Sequence, residues 1–328
     1  MTVQNDHNLK LFHVSAKEAC EIKIGVVGEN LVDLFKVEDK FEAHPGGSPL
    51  NVAVGLVRLG ENVSYITRFS YDFFAKMLIE TLKSENVDLS FCSFDKSSHT
   101  TLAFAFVDEN KIPTFEIWNK CTSDSAMSDK DLSKVDLKEL DVAHFGSILL
   151  ATPASKAVLD FVEKAKDFGK FITFDPNYRP RVAENEEKYL NTLRRGWNLA
   201  NVVKCSYEDV KIIFDLKNME EAVNLIKEKN VPTFLTMGSE GAYLITKDNV
   251  VHIQAYKTNV VDTTGCGDAF AAGVIYELCK HGLSMEDDVL VKAGQVGSAV
   301  AAIAAQKIGA ITSFAHVDDV KKFMRGVN

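Results

Sequence analysis

Short apolar runs alternate with longer amphipathic segments along the chain from Ile22 onward. The runs are typical of buried strands, and the longer segments repeat apolar positions at helical spacing. Strands that alternate with helices predict an α/β fold with a mainly parallel central sheet covered on both faces. The predicted strands are IKIGVVG, NVSYIT, VAHFGSI, KFITFD, NVVKC and VPTFLTMG; the predicted helices are SPLNVAVGLVRLG, DFFAKMLIETLKSE, SKAVLDFVEKAKDFG, MEEAVNLIKEK, residues 268–281 and a segment around 288–306.

Two segments depart from this alternation. LFKVEDKFEAH (34–44) and TTLAFAFVDENKIPTFEIW (100–118) have period-two patterning, and the second contains a turn-like DENKIP. Both predict antiparallel strands outside the main sheet. We therefore expect one domain over residues 21–328, with a small β-sheet lid formed by segments at about 34–44 and 99–121. Residues 1–20 are expected to be an extension without the apolar core of a signal peptide.

Helix boundaries and composition narrow the picture further. SPLNVAVGLVRLG is expected to start with Ser48 as N-cap and Pro49 in its first turn, and to end at Gly60. A net charge of −9, with no basic run, argues against nucleic acid and membrane partners. Six single cysteines argue against a disulfide framework and a zinc site, which favours a cytoplasmic location.

The stretch DTTGCGDAFAAG carries the first sign of chemistry. Gly265, Cys266 and Gly267 precede a helix with an apolar stripe, and the N–H groups at such a start bind anions. Asp268 lies in the first turn, where it could simply stabilise the helix end. A carboxylate facing a bound phosphate would repel it, however, so a general base for an attacking hydroxyl fits better. No Walker A motif and no G-x-G-x-x-G after the first strand occurs, which argues against a P-loop enzyme and a dinucleotide oxidoreductase.

The same stretch resembles the C-terminal signature D-T-x-G-A-G-D of the ribokinase-like (phosphofructokinase-B) carbohydrate kinases, with Cys266 in place of alanine. PGGSPLNVAVGLVRLG (45–60) resembles the N-terminal signature of that family. The resemblance spans the chain from Ile22 onward. It implies a ribokinase-like three-layer α/β/α fold, with ATP as phosphoryl donor, Mg²⁺, a small-molecule sugar substrate and a homodimer formed through the lid.

The resemblance also implies residue roles. In catalysis, Asp268 would be the base, the N–H groups of Gly265, Cys266 and Gly267 an anion hole, and Arg179 of FDPNYRP a clamp on phosphate or sugar. HFGSI (144–148) also resembles fructokinases. The substrate-binding set implied by the family is Asp33, Gly46, Gly47, Asn51, Trp118 and Asn177. The nucleotide-binding set is Ser206, Thr236, Gly238, Ser239, Glu240, Gly241 and Ser298.

Metal positions are less well marked. The family motif N-x-x-E, which organises the magnesium water shell, aligns with Ser206 and Asp209; S-x-x-D is equally a helix-capping pattern, so both roles stay open. The positions that match the monovalent cation site of relatives, where K⁺ would bind, are Asp262, Thr264, Ala304, Gly309 and Ser313.

The resemblance leaves the sugar open among fructose, ribose, 2-keto-3-deoxygluconate and a nucleoside. Trp118-Asn119 replaces the tyrosine-arginine pair that binds the substrate carboxylate in 2-keto-3-deoxygluconate kinases, so a neutral sugar, and fructose above all, is expected. A catalytically inactive sugar- or nucleotide-binding regulator on the same fold is the alternative of a different class. The intact Asp268 and its glycines argue against it.

Overall fold

Eight strands form the central sheet of the computed structural model, which describes residues 22–107 and 113–326. In chain order the strands of the protein are β1 Lys23–Val27, β2 Leu31–Val37, β3 Lys40–Gly46, β4 Asn62–Ile66, β5 Arg68–Phe69, β6 Ser93–Phe94, β7 Thr101–Val107, β8 Pro113–Trp118, β9 Val142–Gly146, β10 Phe171–Asp175, β11 Val202–Ser206, β12 Thr233–Thr236, β13 Ala242–Ile245 and β14 Val250–Ile253. The central sheet has the order β14-β13-β12-β11-β10-β9-β1-β4. Strands β4, β1, β9, β10, β11 and β12 are parallel, and β13 and β14 are antiparallel additions. The predicted mainly parallel sheet is confirmed.

Helices cover both faces of this sheet. They are α1 Ser48–Arg58, α2 Phe73–Ser84, α3 Asp129–Leu132, α4 Ser155–Asp167, α5 Glu186–Leu199, α6 Tyr207–Phe214, α7 Met219–Lys229, α8 Cys266–Lys280, α9 Asp287–Ala304, α10 Ala310–Ser313 and α11 Val317–Arg325. Neighbouring residues of one strand point to opposite faces. Val27 belongs to the core cluster that contains residues of α4, α5, α6 and α7, whereas Val26 belongs to the cluster that contains residues of α1, α2, α8, α9 and α11. The arrangement is a three-layer α/β/α sandwich.

Helices α8 and α9 pack very closely. A Cβ atom on Gly273 would lie 2.8 Å from the Cα atom of Gly297, so glycine at both positions lets the two backbones touch. The apolar stripe of α8, formed by Phe270, Val274 and Leu278, is buried in one cluster with residues of β11 and β12. Close packing fixes the start of α8 relative to the strands, and the start of α8 is the centre of the candidate site.

A second sheet lies outside the sandwich and is called the lid sheet here. Its strand order is β3-β2-β7-β8, with β2–β3 and β7–β8 antiparallel and β2–β7 parallel. The predicted lid strands are confirmed, except that the two hairpins meet through a parallel pair. Most of the DENKIP turn, and the predicted extension at residues 1–20, lie outside the described residues.

One predicted helix start is wrong. Gly47, with φ of 105°, is the N-cap of α1, and its first turn begins at Ser48 itself. The Ser48 side chain makes no capping hydrogen bond, because it donates to a carboxylate on α8. At the other end Leu59 is the C-cap, and Gly60 follows it with a left-handed φ of 98°.

Three neighbouring parallel strands end in polar residues at the same edge of the sheet. Asp175 ends β10, Ser206 ends β11 and Thr236 ends β12. The carboxyl ends of parallel strands are where open α/β sheets bind ligands. In the part of the chain described here, no helix is both long and apolar enough to span a bilayer.

Candidate active site

The Asp268 carboxylate is the centre of the site. Asp268 is the third residue of α8 and is only 8% exposed. Ser48 Oγ donates to its Oδ1 at 2.6 Å, and Asn51 Nδ2 donates to its Oδ2 at 2.8 Å. Both donors come from the first turn of α1, so the two sequence signatures meet at one carboxylate.

Burial raises the pKa of Asp268 above its usual value. The Ser48 and Asn51 hydrogen bonds and the positive charge of Lys204 oppose this rise, while the charge of Asp175 adds to it. A buried carboxylate with a raised pKa is a stronger base than a surface aspartate, and the two donors hold it in one orientation. This is the arrangement that general-base catalysis needs.

The backbone at the start of α8 offers fewer free donors than the sequence predicts. Gly265 is the N-cap in a left-handed conformation, φ 77°. The Cys266 N–H, one of the three predicted anion-hole donors, is engaged by the Thr263 carbonyl oxygen at 3.1 Å. The N–H groups of Gly265 and Gly267 have no acceptor among the described residues. Two of the three predicted donors, Gly265 and Gly267, are therefore free, and the Asp268 N–H also has no acceptor among the described residues. The Cys266 thiol is only partly buried, and burial raises its pKa to about 11.

Asp33 lies on the lid sheet and faces the same site. A Cβ on Gly46 would lie 2.1 Å from Asp33 Oδ2, so the carboxylate lies directly over the glycine. Burial, and then the charge of Asp268, raise the pKa of Asp33 to about 7, and Arg179 lowers it. The charges of Asp268 and of the exposed Arg179 therefore both act on the Asp33 carboxylate, in opposite directions.

Asn51 has an unused acceptor. Its Nδ2 is bonded to Asp268, but its buried Oδ1 has no hydrogen-bond partner. Buried polar atoms are almost always paired, so this unpaired oxygen beside the Asp268 carboxylate is a candidate acceptor for a ligand hydroxyl. Gly47, another predicted sugar-binding residue, has φ of 105°. A Cβ atom at this position would lie 3.2 Å from the carbonyl oxygen of Glu29.

Sequence reasoning missed Lys204. Its Nζ is 2.8 Å from Asp175 Oδ2, and both residues are buried at the ends of neighbouring strands. Asp175 Oδ1 also accepts the N–H of Asn177, whose own Nδ2 donates to Ser147 Oγ at 3.1 Å. A lysine inside the otherwise apolar strand VVKC was the available signal, since lysine is rarely buried without a partner.

Glu29 was also missed. It is 1% exposed, its Oε2 has no hydrogen-bond partner, and burial raises its pKa to about 8 although contact with Ser147 opposes the rise. It lies between β1 and the lid sheet, close to the buried Asp124. Its position directly after GVVG, at the end of the first strand, was the only sequence signal.

Ser206 is a helix cap and Asp209 is close to the charged cluster. Ser206 Oγ accepts the N–H of Asp209 at 3.0 Å, which confirms the capping interpretation. Burial and the charge of Asp175 raise the pKa of Asp209 to about 6, against the lowering effect of Lys204 and Arg179. No group of three or more metal-binding side chains occurs among the described residues. Asp209 is thus compatible with a magnesium water shell but does not form a complete metal cluster with its neighbours.

The predicted nucleotide loop follows β12. Gly238, Ser239 and Glu240 form a single 3₁₀ turn that leads into β13. Gly241, with φ of 92°, lies so close to β14 that a Cβ would be 2.2 Å from the Ile253 carbonyl oxygen. Thr236 Oγ1 donates to the Cys205 carbonyl oxygen, and Ser298 Oγ donates to that of Gln254. The loop contacts β14 through Gly241, and Ser298 of α9 contacts the residue that follows β14.

Two of the predicted cation positions, Thr264 and Gly309, bond to the Asp262 carboxylate. Asp262 Oδ1 accepts the N–H and hydroxyl of Thr264, and its Oδ2 accepts the N–H of Gly309 at 2.8 Å. Ser313 is fully buried and donates to the Ala310 carbonyl oxygen, and Ala304 ends α9 close by in the chain. Asp262 therefore fixes the loop conformation through its side chain, and backbone carbonyls remain for a cation.

Trp118 and Asn119, at the end of the lid sheet, differ in exposure. Trp118 ends β8, is 57% exposed, and its Nε1 donates to Glu116 at 2.8 Å. Asn119 is buried, and its Nδ2 donates to the Val182 carbonyl oxygen at 3.3 Å. Asn119 thereby joins the lid sheet to the segment after Arg179.

Comparison with known proteins identifies the family and the fold. The sequence pattern described as pfkB family carbohydrate kinase matches residues 22–316. A sugar kinase of Pyrococcus horikoshii is 34% identical over 297 residues, 88% of this chain and 91% of the relative. The fructokinase of Salmonella typhimurium is 30% identical over 304 residues, 92% of this chain and 98% of the relative. A fructokinase double mutant of Vibrio cholerae, solved with fructose, ADP and potassium ion, superposes with a TM-score of 0.85 at 26% identity, over 94% of this chain and 99% of that one.

Proposed function

The chain belongs to the pfkB family of carbohydrate kinases, and from that premise we propose that it transfers the γ-phosphate of ATP to a hydroxyl of fructose. The observation that carries the proposal is the Asp268 carboxylate, buried, held by Ser48 and Asn51, and electrostatically coupled to Asp33. A buried carboxylate that can act as base, with a charge that acts on a second carboxylate nearby, suits the binding and activation of an alcohol.

Each residue has a defined part in this mechanism. The Asp33 carboxylate and Asn51 Oδ1 accept hydrogen bonds from the sugar and orient the reacting hydroxyl. Asp268 accepts the proton of that hydroxyl as its oxygen attacks. ATP supplies the phosphoryl group, and a divalent cation, Mg²⁺ in this proposal, neutralises its charge. The Gly265 and Gly267 N–H groups stabilise the negative charge at the start of α8.

Fructose as the acceptor is supported by two lines. The FDPNYRP and HFGSI segments resemble fructokinases, and fructokinases recur among the relatives at about 30% identity. Asn119, where a carboxylate-binding arginine would lie in 2-keto-3-deoxygluconate kinases, is a neutral residue whose amide is bonded to Val182. Burying an unpaired carboxylate costs several kcal/mol, so a neutral ketohexose is the better fit.

One observation favours a second candidate, 2-keto-3-deoxygluconate. The exposed Arg179 interacts with Asp33, so a guanidinium is present near the sugar-binding carboxylate. Arginine binds carboxylates through paired hydrogen bonds. A sugar acid could use Arg179 instead of a residue at position 119.

ADP release over a panel of fructose, ribose, 2-keto-3-deoxygluconate and a nucleoside decides between these acceptors. We expect fructose to exceed 2-keto-3-deoxygluconate in kcat/KM by at least about 10², which corresponds to roughly 3 kcal/mol of differential binding. Chelation of divalent cations with EDTA should abolish turnover, and exchange of K⁺ for a bulky organic cation should lower it. A preference for 2-keto-3-deoxygluconate would mean that Arg179 binds the substrate carboxylate. No turnover of any of these acceptors would refute the kinase proposal.

A further inference from the structure

We propose that the Lys204 ammonium binds the transferred phosphoryl group directly and supplies a charged donor to the anion hole, beside the Gly265 and Gly267 N–H groups. The inference rests on the proposed phosphoryl transfer and assigns a catalytic contact within it. Lys204 is neither in a predicted motif nor among the residues that the resemblance implies.

The ammonium lies against the start of α8. A Cβ on Gly267 would be 2.8 Å from Lys204 Nζ and 3.7 Å from its Cε, so the lysine tip fills the space beside that glycine. An anion bound to the Gly267 N–H would be within reach of the same tip. Lys204 reaches this point from β11, through the sheet edge where the strands end.

The backbone leaves room for such a donor. The Cys266 N–H is taken by Thr263, whereas the N–H groups of Gly265, Gly267 and Asp268 have no acceptor among the described residues. A transferring phosphoryl group spreads its charge over three equatorial oxygens. The Lys204 ammonium would add a charged side-chain donor to these neutral backbone donors.

Lys204 is fixed in place and stays charged. Asp175 Oδ2 accepts one of its three N–H donors at 2.8 Å, and Asp175 is itself held by the Asn177 N–H. Burial lowers the pKa of Lys204, but the charges of Asp175, Asp268 and Asp209 outweigh burial and raise it above its usual value. The ammonium is therefore protonated throughout the range in which the enzyme would work.

The charges around Lys204 are mixed. The start of a helix carries a partial positive charge that repels an ammonium. The Asp175 and Asp268 carboxylates offset this repulsion, and a phosphate bound at the helix start would add to their effect. Arg179, the other cation near Asp209, is exposed and interacts with Asp33 on the lid side. The carboxylates of Asp33, Asp209 and Asp268 also repel an incoming phosphate, and a fixed cation on the α8 side offsets that repulsion.

The test separates phosphate binding from pairing with Asp175. Lys204→Met should lower kcat by about 10² to 10³, as for loss of one donor to a developing oxyanion. It should also weaken binding of the Mg²⁺ complex of a non-hydrolysable ATP analogue at least about tenfold more than binding of Mg²⁺-ADP, because ADP lacks the terminal phosphate. Lys204→Arg, which keeps a positive charge, should recover part of both losses.

Two further variants provide the controls. Asp175→Leu combined with Lys204→Met replaces the whole ion pair with apolar groups, which often restores stability; it should refold well yet stay as inactive as Lys204→Met. Lys292→Met removes a surface ammonium 3.1 Å from Glu277, near the far end of α8, and should change neither readout.

Recovery of kcat in the double variant to within a few-fold of the wild type would overturn the proposal, since Lys204 would then serve only to balance Asp175. Equal losses for the ATP analogue and ADP in Lys204→Met would overturn it as well. The binding measurement needs no sugar. If the wild type phosphorylates no sugar, the proposed function fails, and the nucleotide comparison still decides whether Lys204 contacts the terminal phosphate.

Discussion

A carboxyl group buried in a protein tends to keep its proton, and at Asp268 two hydrogen-bond donors counter that tendency. Asp268→Asn keeps the shape and can still bond to Ser48, but it has no basic oxygen with which to accept a proton. We expect turnover to fall by roughly 10² to 10⁴. Nucleotide binding and the thermal unfolding midpoint should change little. Steady-state kinetics and calorimetry check this, and a variant within a few-fold of wild-type turnover would remove Asp268 from the role of base.

Ser48 is a positioning residue for that base. Its hydroxyl lowers the pKa of Asp268 by donating to Oδ1, so Ser48→Ala should raise that pKa. The base acts only when deprotonated. Activity is lost as pH falls through the pKa, and the acid limb of the kcat–pH profile should therefore move to higher pH in the variant.

Ser48→Thr is the matched control for this prediction, since it keeps the hydroxyl and should leave the limb close to that of the wild type. The profile is measured at saturating sugar, because Asp33, with a pKa of about 7, also titrates in the free site. A lowered kcat with an unmoved acid limb would mean that Ser48 only packs against α8.

At the scale of elements, the pairing of β2 with β3 brings Asp33 over Gly46. Gly46→Ala would place a methyl group 2.1 Å from Asp33 Oδ2, so the carboxylate must turn away from its present position. We expect the KM for the sugar to rise at least about tenfold, with little change in the affinity for ADP. Sugar and ADP titrations distinguish the two effects.

Gly326→Ala is a control with no atom closer than 3.5 Å to the new methyl group, and it should change neither constant. An unchanged sugar KM in Gly46→Ala would show that the Asp33 carboxylate does not contact the sugar.

The secondary structure follows the sequence closely where apolar spacing is regular. MEEAVNLIKEK is α7 from end to end, and SKAVLDFVEKAKD is α4. Helix α5, EEKYLNTLRRGWNL, was not predicted, although its buried Tyr189, Leu193 and Trp197 recur at the four-residue spacing of an amphipathic helix. Its stability comes from packing these three side chains against the sheet, which the local pattern only weakly indicates.

At the scale of the whole molecule, the lid sheet exposes an aromatic group. The ring centroids of Phe41 and Phe104 are 5.8 Å apart in an edge-to-face arrangement, and those of Phe104 and Trp118 are 4.7 Å apart in a tilted one. Phe41 and Trp118 are half exposed. Contiguous exposed apolar surface of this kind usually marks an interaction site. We expect a homodimer through the lid sheet, which light scattering would detect as about twice the chain mass of 36.3 kDa.

Phe41→Asp should convert that dimer to a monomer, because it places a charge in the apolar contact. Val250→Asp, at an exposed position on the far edge strand β14, is the matched control and should leave the mass unchanged. A monomeric wild type, or a dimer in Phe41→Asp, would place the assembly surface elsewhere or exclude assembly.

The sequence by itself determined the layers of this protein and pointed to Asp268 as the candidate base. Apolar periodicity is a local property, and Gly265-Cys266-Gly267-Asp268 lies on one helix start, so both could be read from neighbouring residues. The relation between residues far apart in the chain was decided only by the tertiary structure. Ser48 and Asp268 are 220 positions apart, and Lys204 meets Gly267 only because β11 ends beside α8. Whether a side chain caps a helix, orients a carboxylate or binds a phosphate depends on which group faces it. That group comes from a distant part of the chain, so local spacing does not reveal it.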